Sequence, residues 1–166
     1  ISRGLRRLKK LRYTIIDNYE LCSLGKELFL NDTRVEFYES LAERSVAGDE
    51  VVDIFHFGSC LQYVKNWKGL LKETLDYEPK ILLFSDILAG EIDSFTTCQL
   101  MFGSKVPYRF FNIKNFIKTV EKLGYDLILN TNYYAKIKGK YGPLPTSHFP
   151  LGKRLEHSAN LLFRRG

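Results

Sequence analysis

The sequence predicts an α/β fold: a mostly parallel sheet with helices on both faces, finishing in an antiparallel pair at one edge. Three observations carry this. Val51–Trp67 (VVDIFHFGSCLQYVKNW) reads as an apolar run, a Gly58-Ser59-Cys60 turn and an amphipathic helix pattern, the order of a buried parallel strand feeding a crossover helix. Shorter apolar runs alternate with helical apolar spacing along the rest of the chain. The last two strand candidates are joined by loop alone, which suits antiparallel neighbours.

Taken in order, Tyr13–Ile16 is a β-branched run ending at Asp17, and Leu21, Leu24 and Leu28 then recur at helical spacing. Arg34–Phe37 is a short strand with Val35 and Phe37 on one face. Gly48-Asp49 punctuates before Val51–Phe57, the strongest strand. Leu61, Val64, Trp67 or Lys68, Leu71 and Leu75 mark the following helix. Pro79 precedes the strand Lys80–Phe84, which ends in Ser85-Asp86. Residues 87–108 have no clear period, contain Gly90, Gly103 and Pro107, and read as a long excursion. Ile113, Phe116, Ile117, Val120 and Leu123 form a helical stripe, with Asn112 placed to cap its start and Gly124 to end it in the left-handed conformation. Tyr125–Leu129 is a strand, residues 133–153 a loop rich in Gly, Pro, Lys and Tyr, and Ser158–Phe163 the final strand.

The 166 residues suffice for one domain with a sizeable core, and residues 1–166 read as a single domain with no linker or repeat. No run approaches the roughly 18 apolar residues of a membrane helix. Cys22, Cys60 and Cys98 are far apart with no CxxC pair, which argues against a disulfide or zinc framework and for a reducing compartment, the cytoplasm. The formal net charge is +6, but six of the 25 basic residues (Arg3, Arg6, Arg7, Lys9, Lys10 and Arg12) fall in residues 1–12 with no acid among them. The remaining 19 match the 19 acidic residues. A solvated helix end explains this cluster more simply than a nucleic-acid or membrane patch.

Ligands of open α/β sheets bind beyond the carboxyl ends of the strands. Asp17, after the first strand, has the chemistry to accept both hydroxyls of a ribose, or to cap the next helix, a role open to Asn18 as well. Glu39 and Ser40 follow the second strand, where a polar side chain meets an adenine amino group or simply lines the surface. Gly58 and Ser59 end the third strand, where glycine permits close backbone approach and serine bonds a ligand or the turn. His56 near that strand end reads as a packing residue, with a catalytic role the less favoured alternative. His148 and Asp86 are the candidate general bases, and Cys60 reads as a structural thiol.

An acid after one strand, an acid after the next and Gly-Ser after a third is an order that resembles class I S-adenosylmethionine-dependent methyltransferases, beginning at their second strand. The segments YTIIDNYELCSLGKELF, VEFYESL and FGSCLQYVKNW resemble, in particular, a methyltransferase family associated with bacterial cell-surface polysaccharide genes, over roughly Arg12 to the end. The resemblance implies a Rossmann-like sheet and S-adenosylmethionine as cofactor. It implies Asp17 as ribose ligand, Glu39 and Ser40 as adenine neighbours, and Phe57, Gly58 and Ser59 as cofactor-edge residues. Gln62 and Tyr63 match the motif after the family's fourth strand. It also implies a saccharide or its carrier as methyl acceptor. The family's first strand and glycine-rich loop are absent: Gly4 stands alone, and residues 1–12 resemble the tail of the helix that follows that loop. Since the chain opens on Ile1 rather than Met, a longer polypeptide is expected. Two other readings compete: a non-catalytic domain that keeps the fold, and, less favoured, a nucleic-acid-binding module using residues 1–12.

Overall fold

The computed structural model describes residues 11–46, 51–101, 103–134, 136–137 and 140–166. The basic cluster of residues 1–12 lies outside the described residues, save Arg12. The chain divides into two compact units, Ile1–Glu50 and Val51–Gly166.

In the first unit, β1 (Tyr13–Ile16) leads through Asn18 into α1 (Tyr19–Leu28). The Asn18 side chain accepts the Leu21 N–H at 3.1 Å and so serves as the N-cap. The strand β2 (Val35–Tyr38) runs parallel to β1, with Tyr13 opposite Val35 and Ile16 opposite Tyr38, and a short helix α2 (Leu41–Val46) follows. The inward face of α1 consists of Cys22 and Gly25. Gly25 is there for space: a Cβ would meet the Phe37 ring at 2.1 Å. Leu21 and Leu24, on the expected apolar stripe, are each 50 % exposed.

The second unit starts with β3 (Ile54–Gly58), three residues later than the apolar run suggests. A continuous helix was expected next. Instead a 3-10 turn, Leu61–Tyr63, is followed by extended backbone at Val64, and α3 (Trp67–Thr74) begins only where the Asn66 side chain accepts the Gly69 N–H at 3.1 Å. A second 3-10 turn, Leu75–Tyr77, leads to β4 (Ile81–Ile87), which runs parallel to β3 and continues through Ser85 and Asp86 rather than stopping before them.

Residues 87–108 are not the irregular excursion that their composition suggests. They hold β5 (Ala89–Gly90), β6 (Phe95–Met101) and most of β7 (Ser104–Asn112), with β6 and β7 forming an antiparallel hairpin. Pro107 is accommodated because β7 has a second neighbour, β5, only at Phe111 and Asn112; over the rest of its length it is paired on one side. Gly103, at φ 81°, makes the tight turn.

The helix α4 (Ile113–Glu121) is capped by Asn112, whose side chain accepts the Asn115 N–H at 2.9 Å, and Gly124 at φ 87° closes the segment as expected. The strand β8 (Tyr125–Tyr133) runs four residues longer than its apolar core. Within the expected long loop lie the two-residue strands β9 (Lys136–Ile137) and β10 (Lys140–Tyr141) and a 3-10 turn, Leu151–Lys153. Buried Thr146 fixes this stretch: its hydroxyl donates to the Leu155 carbonyl at 2.7 Å and accepts the Leu155 N–H at 3.0 Å. The last strand, β11 (Ser158–Arg165), is antiparallel to both β4 and β8, giving the order β3-β4-β11-β8 with the expected antiparallel pair at the edge.

The main core of this unit is aromatic. Phe84 is fully buried, stacks on Phe57 at 5.0 Å and meets the edges of Phe116 and Phe163 at 5.1 and 5.7 Å. Burying a phenylalanine fully is worth about 1.5–3 kcal/mol. A smaller cluster of Leu88, Ile92, Phe110 and Leu155 seats the hairpin. Among the described residues no helix is long and apolar enough to cross a membrane.

Candidate functional site

In the first unit the parallel pair presents its carboxyl ends side by side. The Cys22 thiol sits 3.3 Å from the Asp17 carbonyl and 3.2 Å from that of Tyr38, tying the two strand ends together. Since Asn18 caps α1, Asp17 is released from that duty. Its exposed carboxylate takes the Asn18 N–H at 2.8 Å and the Asn18 side-chain amide at 3.2 Å, both on Oδ1. Among the described residues Oδ2 accepts no hydrogen bond.

Glu39 and Ser40 follow β2 and are exposed. The Ser40 hydroxyl accepts the Glu43 N–H at 3.1 Å, while the Glu43 carboxylate reaches back to the Glu39 N–H at 2.7 Å. This is a capping-box arrangement shifted by one residue. It employs Ser40 as an acceptor and leaves its hydroxyl proton free to donate. The Glu39 side chain takes no part in it.

In the second unit the sequence places Phe57, Gly58 and Ser59 at one strand end. The structure separates their roles. The Phe57 side chain is a core residue, buried between Phe55 and Phe84, so it is turned into the core and not presented at the strand end. Gly58 is exposed, and a Cβ there would press on the His56 ring at 3.2 Å. Ser59 has φ 50°, and Asp86, on the neighbouring strand, has φ 54°. Both occupy the left-handed region that costs a non-glycine residue energy and that recurs at functional sites. The Ser59 N–H donates to the Ser85 carbonyl at 2.9 Å.

Asp86 is the hub of this edge. Its Oδ2 accepts the Ser59 hydroxyl at 2.6 Å and its Oδ1 the Ser158 hydroxyl at 2.5 Å, while its backbone N–H donates to Asn160 Oδ1 at 3.0 Å. A carboxylate has about four lone-pair positions, so each oxygen keeps room for a further donor. His56 is on the neighbouring strand β3: its Nε2 is 2.5 Å from the Ser85 hydroxyl, and burial lowers its pKa, favouring the neutral ring.

His148, the other candidate base, is exposed and packs its ring on Phe149 at 4.2 Å, in the aromatic group that supports the hairpin. It shares no hydrogen bond with Asp86. Ser158 and Asn160, which hold Asp86, escaped the sequence reading. They follow it by 72 and 74 residues, and only the antiparallel return of β11 against β4 brings them alongside.

No protein-family model matches the chain, and neither does any curated protein. Solved structures do. A Listeria monocytogenes protein assigned as an S-adenosylmethionine-dependent methyltransferase superposes with a TM-score of 0.64 at 10% identity, over 93% of this chain and 80% of that one. A SAM-dependent methyltransferase of Methanosarcina mazei gives 0.60 at 11% identity, over 92% and 81%. The 1,6-didemethyltoxoflavin-N1-methyltransferase of Burkholderia thailandensis, solved with 1,6-didemethyltoxoflavin and S-adenosylhomocysteine, gives 0.56 at 14% identity, over 93% and 61%. At these identities the likeness is one of fold. The chain has a mixed α/β fold, parallel strands with antiparallel additions, of the Rossmann-like class I methyltransferase type.

Proposed function

We propose that this chain is an S-adenosylmethionine-dependent methyltransferase domain. The observation that carries the reading is the polar cluster at the carboxyl ends of β3 and β4, where Ser59 and Asp86 both adopt left-handed backbone and are joined by a hydrogen bond, in a fold shared with methyltransferases. The residues present suit the cofactor. In the first unit, the Asp17 carboxylate offers the paired acceptor chemistry that two ribose hydroxyls require, and Glu39 and Ser40 offer an acceptor and a donor for the adenine edge. In the second unit, Gly58 leaves the backbone open to close approach, and Ser59 lies beside the carboxylate.

When bound, S-adenosylmethionine supplies an electrophilic methyl group on a sulfonium that departs as a neutral thioether. Asp86 receives the proton that a hydroxyl acceptor loses, and the serines on its two oxygens fix its direction. Alignment of the acceptor does most of the remaining work. His148 is the second candidate base. A saccharide or its carrier is the acceptor that the sequence resemblance favours.

Calorimetry with S-adenosylmethionine and S-adenosylhomocysteine tests the reading. Binding of both is expected, with Asp17→Ala weakening each while circular dichroism is unchanged. Binding of neither overturns the assignment. Binding of both without methyl transfer to any saccharide acceptor favours the non-catalytic alternative.

A further inference from the structure

The 3-10 turn that follows Ser59, the serine bonded to Asp86, carries a polar group that the proposed chemistry does not use. Tyr63 ends the 3-10 turn after β3, and its hydroxyl donates to Gln99 Oε1 on β6 at 3.1 Å. Its ring lies against Tyr108 of β7, centroids 5.3 Å apart and planes tilted by 40°. Burial raises the pKa of both phenols, and the negative charge of Asp86 raises both further, which keeps the two hydroxyls protonated. Gln62, on the same turn, is 4 % exposed, and its Oε1 accepts no hydrogen bond among the described residues. Native interiors rarely leave such an atom unpaired, and Gln62 Oε1 is open to a partner from outside the chain.

We propose that Tyr63, Tyr108, Gln99 and Gln62 form an acceptor subsite beside Asp86, and that it takes a neutral, polyhydroxylated ligand. This rests on the reading of Asp86 given above. A polyol hydroxyl both donates and accepts. The Tyr108 hydroxyl and the Gln99 amide are donors for it, and the Tyr63 oxygen, whose proton goes to Gln99 Oε1, joins Gln62 Oε1 and the Asp86 carboxylate as an acceptor. The two phenol rings add apolar faces for the C–H edges of a sugar-like ring. An anionic ligand is disfavoured: it would meet the charge of Asp86, and none of the hydrogen bonds among these residues comes from a lysine or arginine.

Saturation-transfer NMR on the full chain tests this, with methyl α-D-glucopyranoside as the neutral probe and glucuronate as the anionic one, each with and without S-adenosylhomocysteine. The neutral sugar is expected to receive saturation. Tyr63→Phe and Tyr108→Phe each remove one hydroxyl and should weaken its binding about fivefold, the worth of one hydrogen bond. If Tyr63→Phe does not fold, Gln99→Leu carries the same expectation. Gln62→Met should lower the sugar signal without lowering thermal stability, since it deletes an unpaired buried acceptor; a drop in stability with an unchanged signal would assign Gln62 a purely structural role and overturn its part in the subsite. Equal saturation of glucuronate overturns the ligand class. No saturation of either sugar, in a chain that binds S-adenosylhomocysteine, overturns the subsite and spares the cofactor reading. Tyr63-dependent sugar binding in a chain that does not bind S-adenosylhomocysteine does the reverse.

Discussion

Ser59 and Asp86 lie at the carboxyl ends of neighbouring parallel strands, share the left-handed backbone conformation at φ 50° and 54°, and are joined from Oγ to Oδ2 at 2.6 Å. Each side chain thus holds the other in a conformation that neither would choose alone.

The first prediction separates the two parts of that relationship. Ser59→Ala and Ser59→Gly both remove the hydroxyl, but only glycine removes the backbone cost. Ser59→Gly should therefore be more stable than Ser59→Ala by about 1 kcal/mol. Urea denaturation of the pair measures it, and equal midpoints would mean that the turn stores no strain.

At Gly25 two effects oppose each other. Alanine improves helix propensity by about 1 kcal/mol. Its Cβ, however, would stand 2.1 Å from the buried Phe37 ring. Overpacking of this kind costs about 1–3 kcal/mol, so Gly25→Ala should destabilise the first unit on balance, and Phe37→Leu should restore part of the loss. A neutral Gly25→Ala would show that the ring moves aside freely.

Acid reports on the bend before β2. The Arg34 guanidinium hydrogen-bonds the Asp32 carboxylate at 2.7 and 2.6 Å and lowers its pKa from 3.8 to about 2. A depressed carboxylate pKa stabilises the fold fully above the ordinary value of 3.8, and that contribution is lost as pH falls through about 2. Carboxyl carbon NMR should place the Asp32 midpoint near 2 and return it toward 3.8 in Arg34→Gln. A midpoint unmoved by that substitution would remove the ion pair as the cause.

What the sequence made legible follows from how local each signal is. The strand ending at Gly58, the Asn112 cap and the Gly124 stop depend on neighbours within a few residues, and all three stand as expected. The hairpin of β6 and β7 was hidden because Gly103 and Pro107 resemble loop punctuation, and only pairing on one side explains why a proline fits there. The helix after Ser59 starts late because Val64 is extended and Asn66 caps a new helix at Gly69, a choice that the apolar spacing alone does not encode. Asp86 was legible as a candidate base from its place at a strand end. Its partners Ser158 and Asn160 were not, since nothing in their own surroundings marks them; they become partners only through the register of β11 on β4.

The three thiols are graded in a useful way. Cys98 on β6 is exposed, Cys60 is half-buried, and Cys22 is buried with its sulfur turned toward two strand-end carbonyls. A thiol hidden in that manner becomes reactive once α1 lifts from the carboxyl ends of β1 and β2. The chain therefore carries its own chemical clock for the opening of its first unit, timed against an exposed reference on the hairpin.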